Sequence, residues 1–336
     1  MDPIILVNVA TASEKIGFIL AIILNIVLAY LIIYKSHPQL GGYKNLMVVY
    51  CFFELLYSFT AWISESKFFN TDMAFVSYRK YSGPYREYAP LLLIQFCTCY
   101  FILLMILSLH FVYRYFIVTS SRYMYLFEGW NLMGWIVSAV CSGVSGGLMK
   151  FLILGESEYA VEHLRGPFME QLHVKIEDVV FNGPVLYDCR KGLDKCEKEV
   201  KIWILLISFI LYVIFFLTIM IYFGLKIYKK MDNCCKMSLS TSHLQKQLFW
   251  ALFFQTAIPF IFMYIPVIVI YIFPMIGVNL GAYSNIMLIC FAIYPPLDQL
   301  FIIYIIKDYR RAITSKILCC FRQTEVEPKQ LQSTSF

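Results

Sequence analysis

Two carboxylates in strongly apolar surroundings are the first candidates for chemistry. Glu54 lies in the middle of one apolar stretch, and Asp298 follows Tyr294–Leu297 in another. A carboxylate in hydrocarbon costs at least about 2.5–3.5 kcal/mol, so each should face a protein interior and find a partner. Two interpretations stay open. The pair could be a switch in which a proton or a bound cation selects between two packings, or a satisfied hydrogen-bond network.

Arg114 closes the third apolar stretch. Its guanidinium could extend to a membrane surface, or it could bond to the sixth or seventh stretch and hold an inactive packing. Prolines at Pro259 and Pro266 in the sixth stretch, and at Pro295-Pro296 in the seventh, each remove a backbone hydrogen bond and bend or interrupt a helix. We expect Pro259 and Pro295 to act in a switch, with static kinks as the alternative.

Seven apolar stretches must position these residues. The chain of 336 residues is 60% hydrophobic and 15% charged, far more apolar than a soluble domain. Each stretch has about the 20 residues that a helix needs to cross a bilayer. The predicted spans are Ile16–Tyr34, Leu46–Ser64, Pro90–Val112, Leu132–Leu154, Ile202–Leu225, Leu248–Phe273 and Leu280–Ile306.

These spans predict an all-α membrane protein, a seven-transmembrane helix bundle. Tyr309, Ala312, Ile313 and Ile317 share one helical face after the seventh span, which predicts a short amphipathic helix at residues 308–318 in the membrane interface. Residues 1–318 then form one membrane domain, and residues 319–336 form a polar cytoplasmic tail.

The charges predict which side each end faces. With the N-terminus outside, the inner segments hold 15 Lys and Arg against 5 Asp and Glu. The connection Lys226–Lys246 alone carries five lysines close to two spans, where basic residues favour the cytoplasmic side. We therefore expect an extracellular N-terminus, a cytoplasmic C-terminus and contact of the basic inner face with anionic membrane lipid.

Cysteines and small residues suggest further contacts. Cys189 and Cys196 lie close together in the long fourth connection, where an oxidising outer compartment favours a disulfide. Cys319-Cys320 follow the amphipathic helix, a setting for palmitoylation. The fourth span carries Ala139, Gly143 and Gly147 at a spacing of four, which lets helices approach closely, either inside the bundle or at the face of a dimer.

The sequence offers little for an enzyme. The five histidines are scattered without a metal-binding box, and there is neither a phosphate-binding loop nor a Gly-x-Ser-x-Gly motif. A potassium-type filter is also missing. We expect no enzymatic activity, no cofactor, no metal and no nucleic-acid partner.

Several motifs match a known family together. They are Gly42–Met47, His110–Phe116, Leu244–Phe249, Gln255–Phe260, Met263–Val267, Tyr294–Leu300 and Ile306–Ile313. The chain resembles, nearly end to end, the nematode seven-helix chemoreceptors of the Str type (serpentine receptor class r), which are G protein-coupled receptors.

The resemblance implies an olfactory or gustatory receptor of sensory cilia that couples to a heterotrimeric G protein. Tyr113-Arg114-Tyr115 stands where many such receptors have Asp-Arg-Tyr, without the acidic residue. Pro295–Asp298 stands near their Asn-Pro-x-x-Tyr motif in a different order. A cysteine at the top of the third helix is missing, which favours a Cys189–Cys196 bridge.

We predict that a small odorant binds among the third, fifth, sixth and seventh helices under the long fourth connection. Ligand pockets in bundles are mostly apolar with few polar groups. The candidate liners, each of which could instead serve packing, are Gln95, Tyr100, Ser208, Tyr264, Tyr283 and Asn285. Two other functions stay open: an odorant-gated cation channel of the seven-helix type, and a receptor-like partner protein without a ligand.

Overall fold

The structure is a computed structural model that describes residues 2–80, 86–188, 197–198, 200–232 and 239–316. Seven helical spans in this part of the chain are long and apolar enough to cross a membrane. The first four are α1 (Pro3–Lys35), α2 (Tyr43–Ser64), α3 (Ala89–Val118) and α4 (Gly129–Ile153).

A shorter helix, α5 (Glu158–Leu172), lies between the fourth and fifth spans. The fifth span is α6 (Val200–Asp232). The sixth consists of α7 (Leu239–Pro259), a π-helical turn (Phe260–Tyr264) and α8 (Ile265–Met275), and the seventh is α9 (Ile286–Ile305). A final helix, α10, covers residues 307–316, so the predicted amphipathic helix is present there, and its last two predicted positions lie outside the described residues.

The largest boundary difference concerns α1, which begins 13 positions before the predicted span. Asp2 caps the helix by accepting a hydrogen bond from the Ile4 backbone N–H, and Pro3 occupies its first position. The charged pair Glu14-Lys15 ends the apolar pattern, but Glu14 forms an ion pair of 2.7 Å with Lys67. Because this ion pair neutralises Glu14, the helix can include both charged residues.

The centre of the bundle is α3, which packs against α2, α4 and α6. In its most apolar window 67% of the residues are buried, compared with 17% for α6, whose exposed leucines and isoleucines face the lipid. The small-residue face of α4 packs inside the bundle against α3: a Cβ atom on Gly143 would clash with Ile102 Cγ1 and lie 2.6 Å from the Thr98 carbonyl oxygen.

A small antiparallel sheet, which the sequence analysis did not predict, joins two connections at one end of the bundle. Its strands, in the order β1-β2-β3, are β1 (Lys67–Asn70), β2 (Phe75–Lys80) and β3 (Val179–Asn182). Ser77 lies opposite Asn182 in the β2–β3 register. A separate two-stranded pair contains β4 (Tyr187–Asp188) and β5 (Glu197–Lys198).

Helix α5 covers this sheet through its own hydrophobic core, in which Phe168 contacts Phe69 and Tyr78. Ser157 caps α5 by accepting a hydrogen bond from the Ala160 N–H. We call the end that carries the β1–β3 sheet and α5 the cap end, and the end that carries α10 the tail end. The cap contains part of the long fourth connection, under which the ligand is expected to bind, and this part is folded into a helix and strands.

The prolines of the sixth and seventh spans affect their helices differently. The π-helical turn follows Pro259 directly, as expected where a proline removes a hydrogen bond from the helical ladder. In contrast, α9 continues as a helix through Pro295 and Pro296. The prediction that these two prolines interrupt the seventh span is therefore wrong.

Candidate functional site

Two cavities lie toward the cap end and meet at four shared residues. The larger one, which we call the lateral cavity, has a volume of about 170 Å³ and lies between α3, α4 and α6. The smaller one, the hairpin cavity, has about 30 Å³ and lies under β1 and β2. Both are lined by Cys97, Lys150, Phe209 and Tyr271.

The hairpin cavity is almost filled by aromatic rings. Phe96 contacts Phe68 and Phe291, with ring centroids 6.5 and 4.9 Å apart. Tyr100, a predicted ligand liner, borders this cavity and packs on Phe209 at 5.6 Å. A space of this size holds little more than one or two water molecules. A larger guest in the hairpin cavity therefore needs a movement of these rings.

The structure brings together two of the six predicted liners. Tyr100 and Tyr264 are both buried and pack edge to face, with centroids 5.4 Å apart. Ser208 lines the lateral cavity, and its hydroxyl donates to the Ile204 carbonyl. Gln95 donates to the Cys99 sulfur at 3.4 Å, and Tyr283 is 44% exposed.

Asn285 is a structural clamp and does not line either of these cavities. Its Oδ1 accepts from the Phe68 N–H at 3.0 Å, and its Nδ2 donates to the Phe68 and Ala282 carbonyl oxygens at 2.8 Å each. The side chain is fully buried. These three bonds fasten β1 to the start of α9, so its amide is engaged by backbone groups and we correct its assignment as a ligand contact.

The two carboxylates of the spans lie side by side in the middle of the bundle. Glu54 on α2 and Asp298 on α9 are fully buried, and they lie close enough to interact directly. Gln299 Nε2 donates to Glu54 Oε2 at 2.7 Å. Among the described residues, Glu54 Oε1 and both Asp298 oxygens accept no hydrogen bond. Hydrogen bonds therefore satisfy this network only in part.

Arg114 points into the protein near the tail end rather than toward the membrane surface. It is 1% exposed, and its Nη2 donates to Gln245 Oε1 on α7 at 2.6 Å. Its guanidinium carbon lies 5.2 Å from the centre of the Tyr43 ring. None of the ion pairs among the described residues involves Arg114. The arginine is thus held by a neutral amide and an aromatic ring.

The neighbours of Arg114 in sequence pack on either side. Tyr113 stacks on Tyr43 with a centroid distance of 5.4 Å, and Tyr115 contacts Phe223 of α6 at 5.2 Å. Both rings therefore fix the end of α3 against other helices. Cys189, Cys196, Cys319 and Cys320 lie outside the described residues, so the predicted disulfide and palmitoylation sites stay predictions.

Three important residues were not singled out from the sequence. Gln245 and Gln299 are the amide partners of Arg114 and Glu54, and no sequence signal distinguishes them from other glutamines. Lys150 borders both cavities. It is the only Lys or Arg within the seven predicted spans. Its charge could therefore have identified it as a candidate from the sequence.

Comparisons with known proteins identify the family. Residues 10–314 match the family described as serpentine type 7TM GPCR chemoreceptor Str. The chain is similar to serpentine receptor class r-10 of Caenorhabditis elegans, with 29% identity over 91% of this chain and 90% of that protein.

Two further relatives agree. The chain is 24% identical to the G-protein coupled receptor str-33 of Caenorhabditis elegans over 96% of this chain and 95% of the relative. It is 26% identical to serpentine receptor class r-10 of Caenorhabditis briggsae, over 94% and 92% of the two chains. With its seven apolar helices, the chain is a multi-pass membrane protein that belongs to the Str family of serpentine seven-transmembrane chemoreceptors.

Proposed function

We propose that the protein is a chemosensory receptor that binds a small odorant at the cap end and signals to a heterotrimeric G protein at the tail end. The family and the names of its relatives support a GPCR-type receptor. In this proposal the cap end is extracellular and the tail end is cytoplasmic, as the basic residues of the tail-end connections favour. The receptor acts in the plasma membrane of sensory cilia.

The hydrogen bond between Arg114 and Gln245 is the observation that carries the proposal. It joins α3 to α7 at the tail end at 2.6 Å, and its acceptor is a neutral amide. A hydrogen bond to a charged group is worth about 1.5–3 kcal/mol, an amount that a small ligand can offset by binding one packing better than the other. Breaking this bond frees Arg114 and opens a cleft for a G protein.

A path for the coupling runs along the sixth span. Tyr264 ends the π-helical turn that follows Pro259, and its ring packs on Tyr100 beside the hairpin cavity. A ligand that displaces Tyr100 acts on this turn, and α7 with Gln245 lies on its other side. Helical irregularities of this kind are suitable hinges for rigid-body movement.

The carboxylates in the middle of the bundle are the second part of the proposed switch. Two adjacent carboxylates repel each other, so a shared proton or a bound cation stabilises the pair. Glu54 belongs to α2 and Asp298 to α9, and Asp298 also lies beside Gln255 of α7. A change in the occupancy of this cluster therefore changes how α7 packs against α9.

The test is ligand screening in cells that report G protein activation, with an epitope on the N-terminus. We expect the epitope to be stained without permeabilisation and a subset of volatile compounds to activate the wild type. Arg114→Ala should reach the surface and fail to signal, because the group proposed to meet the G protein is missing. Staining only after permeabilisation, or ligand-gated currents that persist without a G protein, would contradict the proposal and favour a channel.

A further inference from the structure

Lys150 is buried at the junction of the two cavities. It lies one turn before the cap end of α4, yet its side chain turns inward and the residue is only 7% exposed. Its Nζ donates to the Leu93 carbonyl oxygen at 3.3 Å and to Ser77 Oγ at 3.4 Å. Both acceptors are neutral.

No carboxylate among the described residues forms an ion pair with Lys150. On the same side of the bundle, Glu156 accepts from the Phe181 N–H and lies 3.9 Å from Arg86. A lysine at this position could reach the interface with little cost. Holding an ammonium inside without an anion is unfavourable, so its inward position calls for an explanation.

The lateral cavity beside Lys150 has the form expected for an amphipathic guest. Its walls are mainly apolar, with Phe101, Met149 and Leu205 among them, and hydroxyls of Ser142 and Ser208 lie at its border. An apolar cavity of about 150 Å³ accepts a molecule of the size of benzene. The lateral cavity, at about 170 Å³, therefore suits a short alkyl chain with one small head group.

We propose that Lys150 is the anchor for a small carboxylic-acid ligand, whose carboxylate binds Nζ and whose alkyl chain occupies the lateral cavity. The inference rests on the proposed receptor function and names its ligand class. An ammonium–carboxylate pair supplies the missing anion, and charge-assisted bonds of this type are about twice as strong as neutral ones. The apolar walls supply the remaining affinity.

The position of Lys150 also connects such a ligand to the proposed switch. Phe209 and Tyr271 line both cavities, and their rings lie 5.7 Å apart. Phe209 in turn packs on Tyr100, which contacts Tyr264 in the π-helical turn. A chain bound against Phe209 therefore acts on the hinge through two ring contacts.

The test measures binding to purified receptor in nanodiscs of uncharged lipid, so that its readout does not depend on a G protein. Hexanoate and hexanamide are the probes, because they share size and shape and differ in charge. We expect hexanoate to bind about tenfold more tightly, the ratio for one charge-assisted hydrogen bond in place of a neutral one. Lys150→Gln should remove this preference, and Lys150→Arg should retain it.

A second variant guards against misfolding of Lys150→Gln. Ser208→Phe fills the lateral cavity from α6 and leaves the bonds of Lys150 intact, so it should weaken hexanoate binding while the protein remains folded. Equal affinity of the wild type for the two probes would overturn the proposal, as would an unchanged preference in Lys150→Gln. That second result would make Lys150 only a structural link between α4, α3 and β2.

The two proposals fail in different ways. Hexanoate binding without any G protein response would leave the Lys150 site standing and contradict the proposed signalling. A G protein response to other odorants, without a preference for hexanoate over hexanamide, would support the proposed signalling and contradict the Lys150 site. Oleate distinguishes a water-borne acid from one supplied by the bilayer: tighter binding of oleate than of hexanoate would support the same anchor with the membrane as its source.

Discussion

Backbone hydrogen bonds join the connections at the cap end, whereas individual side-chain bonds link the packed helices at the tail end. At the cap end, three strands form a continuous ladder, and the Asn285 side chain bonds both backbone groups of Phe68. At the tail end, Arg114 bonds Gln245, and Gln247 Oε1 accepts from the Lys307 N–H at 3.0 Å.

The two ends therefore differ in how they can move. A strand ladder and its clamp open only together, because each broken bond leaves a buried polar group without a partner. A single side-chain bond can break without its neighbours, at a cost of about 1.5–3 kcal/mol when one partner is charged. The cap end is therefore suited to keep a ligand site in shape, and the tail end to alternate between two packings.

The largest effect is expected from Asn285→Ala at the cap end. The change leaves the N–H and carbonyl of Phe68 without partners in a fully buried place. Each such group costs about 1–3 kcal/mol, so the variant should be strongly destabilised and largely absent from the cell surface. Surface staining and the thermal unfolding midpoint of purified protein measure this.

The matched control is Asn131→Ala. Asn131 is exposed and makes one hydrogen bond, from Nδ2 to the Tyr125 carbonyl, so its loss should change the midpoint little. If Asn285→Ala unfolds at the same temperature as this control, the cap end does not depend on its clamp.

The next largest effect is expected from Gln245→Leu, and it should concern activity rather than folding. The change removes the acceptor of Arg114 and leaves a group of similar size in the same place. If the bond holds the inactive packing, ligand-free G protein activation should rise about tenfold, which corresponds to the loss of one hydrogen bond to a charged group. The activation is compared at equal surface staining, because an unpaired buried guanidinium also lowers stability.

Gln247→Leu is the matched control for this variant. Gln247 lies two residues away on α7 and bonds the start of α10 instead of Arg114. Its basal activity should stay close to the wild type. Equal basal activity in both variants would show that the bond between Arg114 and Gln245 does not hold the inactive packing. It would also remove the main support for a mobile tail end.

The sequence predicts the spans well because hydropathy is a local property. It fails at α1, because the ion pair that neutralises Glu14 involves Lys67, which is distant in the chain. The cap sheet is not predicted for the same reason, because β2 pairs with β3, which lies about a hundred residues away in the chain. Neither strand is long or regular enough to be recognised alone.

The site is predicted only in part, because residue type does not define a role. Arg114, Glu54 and Asp298 stand out because charges are rare in spans. Asn285 was expected to line a ligand pocket or to serve packing, but an amide can bond a ligand or a backbone equally well, and the partner Phe68 decides which. Lys150 is also a charged residue inside a predicted span, but it lies near the end of that span and was not singled out.

A smaller effect is expected from Tyr309→Phe at the tail end. The buried Tyr309 hydroxyl bonds Ser36 Oγ and so fastens α10 to the end of α1. Burial raises the pKa of Tyr309 to about 12, so the hydroxyl stays protonated at physiological pH. Its loss should lower the stability by about 1 kcal/mol, measured as a small decrease in the unfolding midpoint. Tyr304→Phe, at a residue 65% exposed, should have no effect, and a larger decrease there would contradict this assignment.

The smallest effect is a pH dependence of the cap end. His163 on α5 is half-buried, and its Nε2 lies 3.2 Å from Thr71 Oγ1 in the β1–β2 turn. Burial lowers the pKa of His163, and Asp72 opposes this only partly. The unfolded chain therefore binds a proton more readily than the folded cap. The contribution is complete above the unfolded pKa of about 6.5 and declines as the pH falls below it.

Between about pH 7.5 and pH 5.5, on either side of the unfolded histidine pKa, the unfolding midpoint of the wild type should fall more than that of His163→Gln. The control is His243→Gln, at an exposed position near the tail end, which should keep the full wild-type dependence. Because His163 contacts the sheet directly, acid should loosen the cap before it affects the Arg114–Gln245 bond, so ligand binding should weaken with no rise in basal activity. The opposite order, with basal activity rising first, would mean that the tail end is the more acid-sensitive of the two.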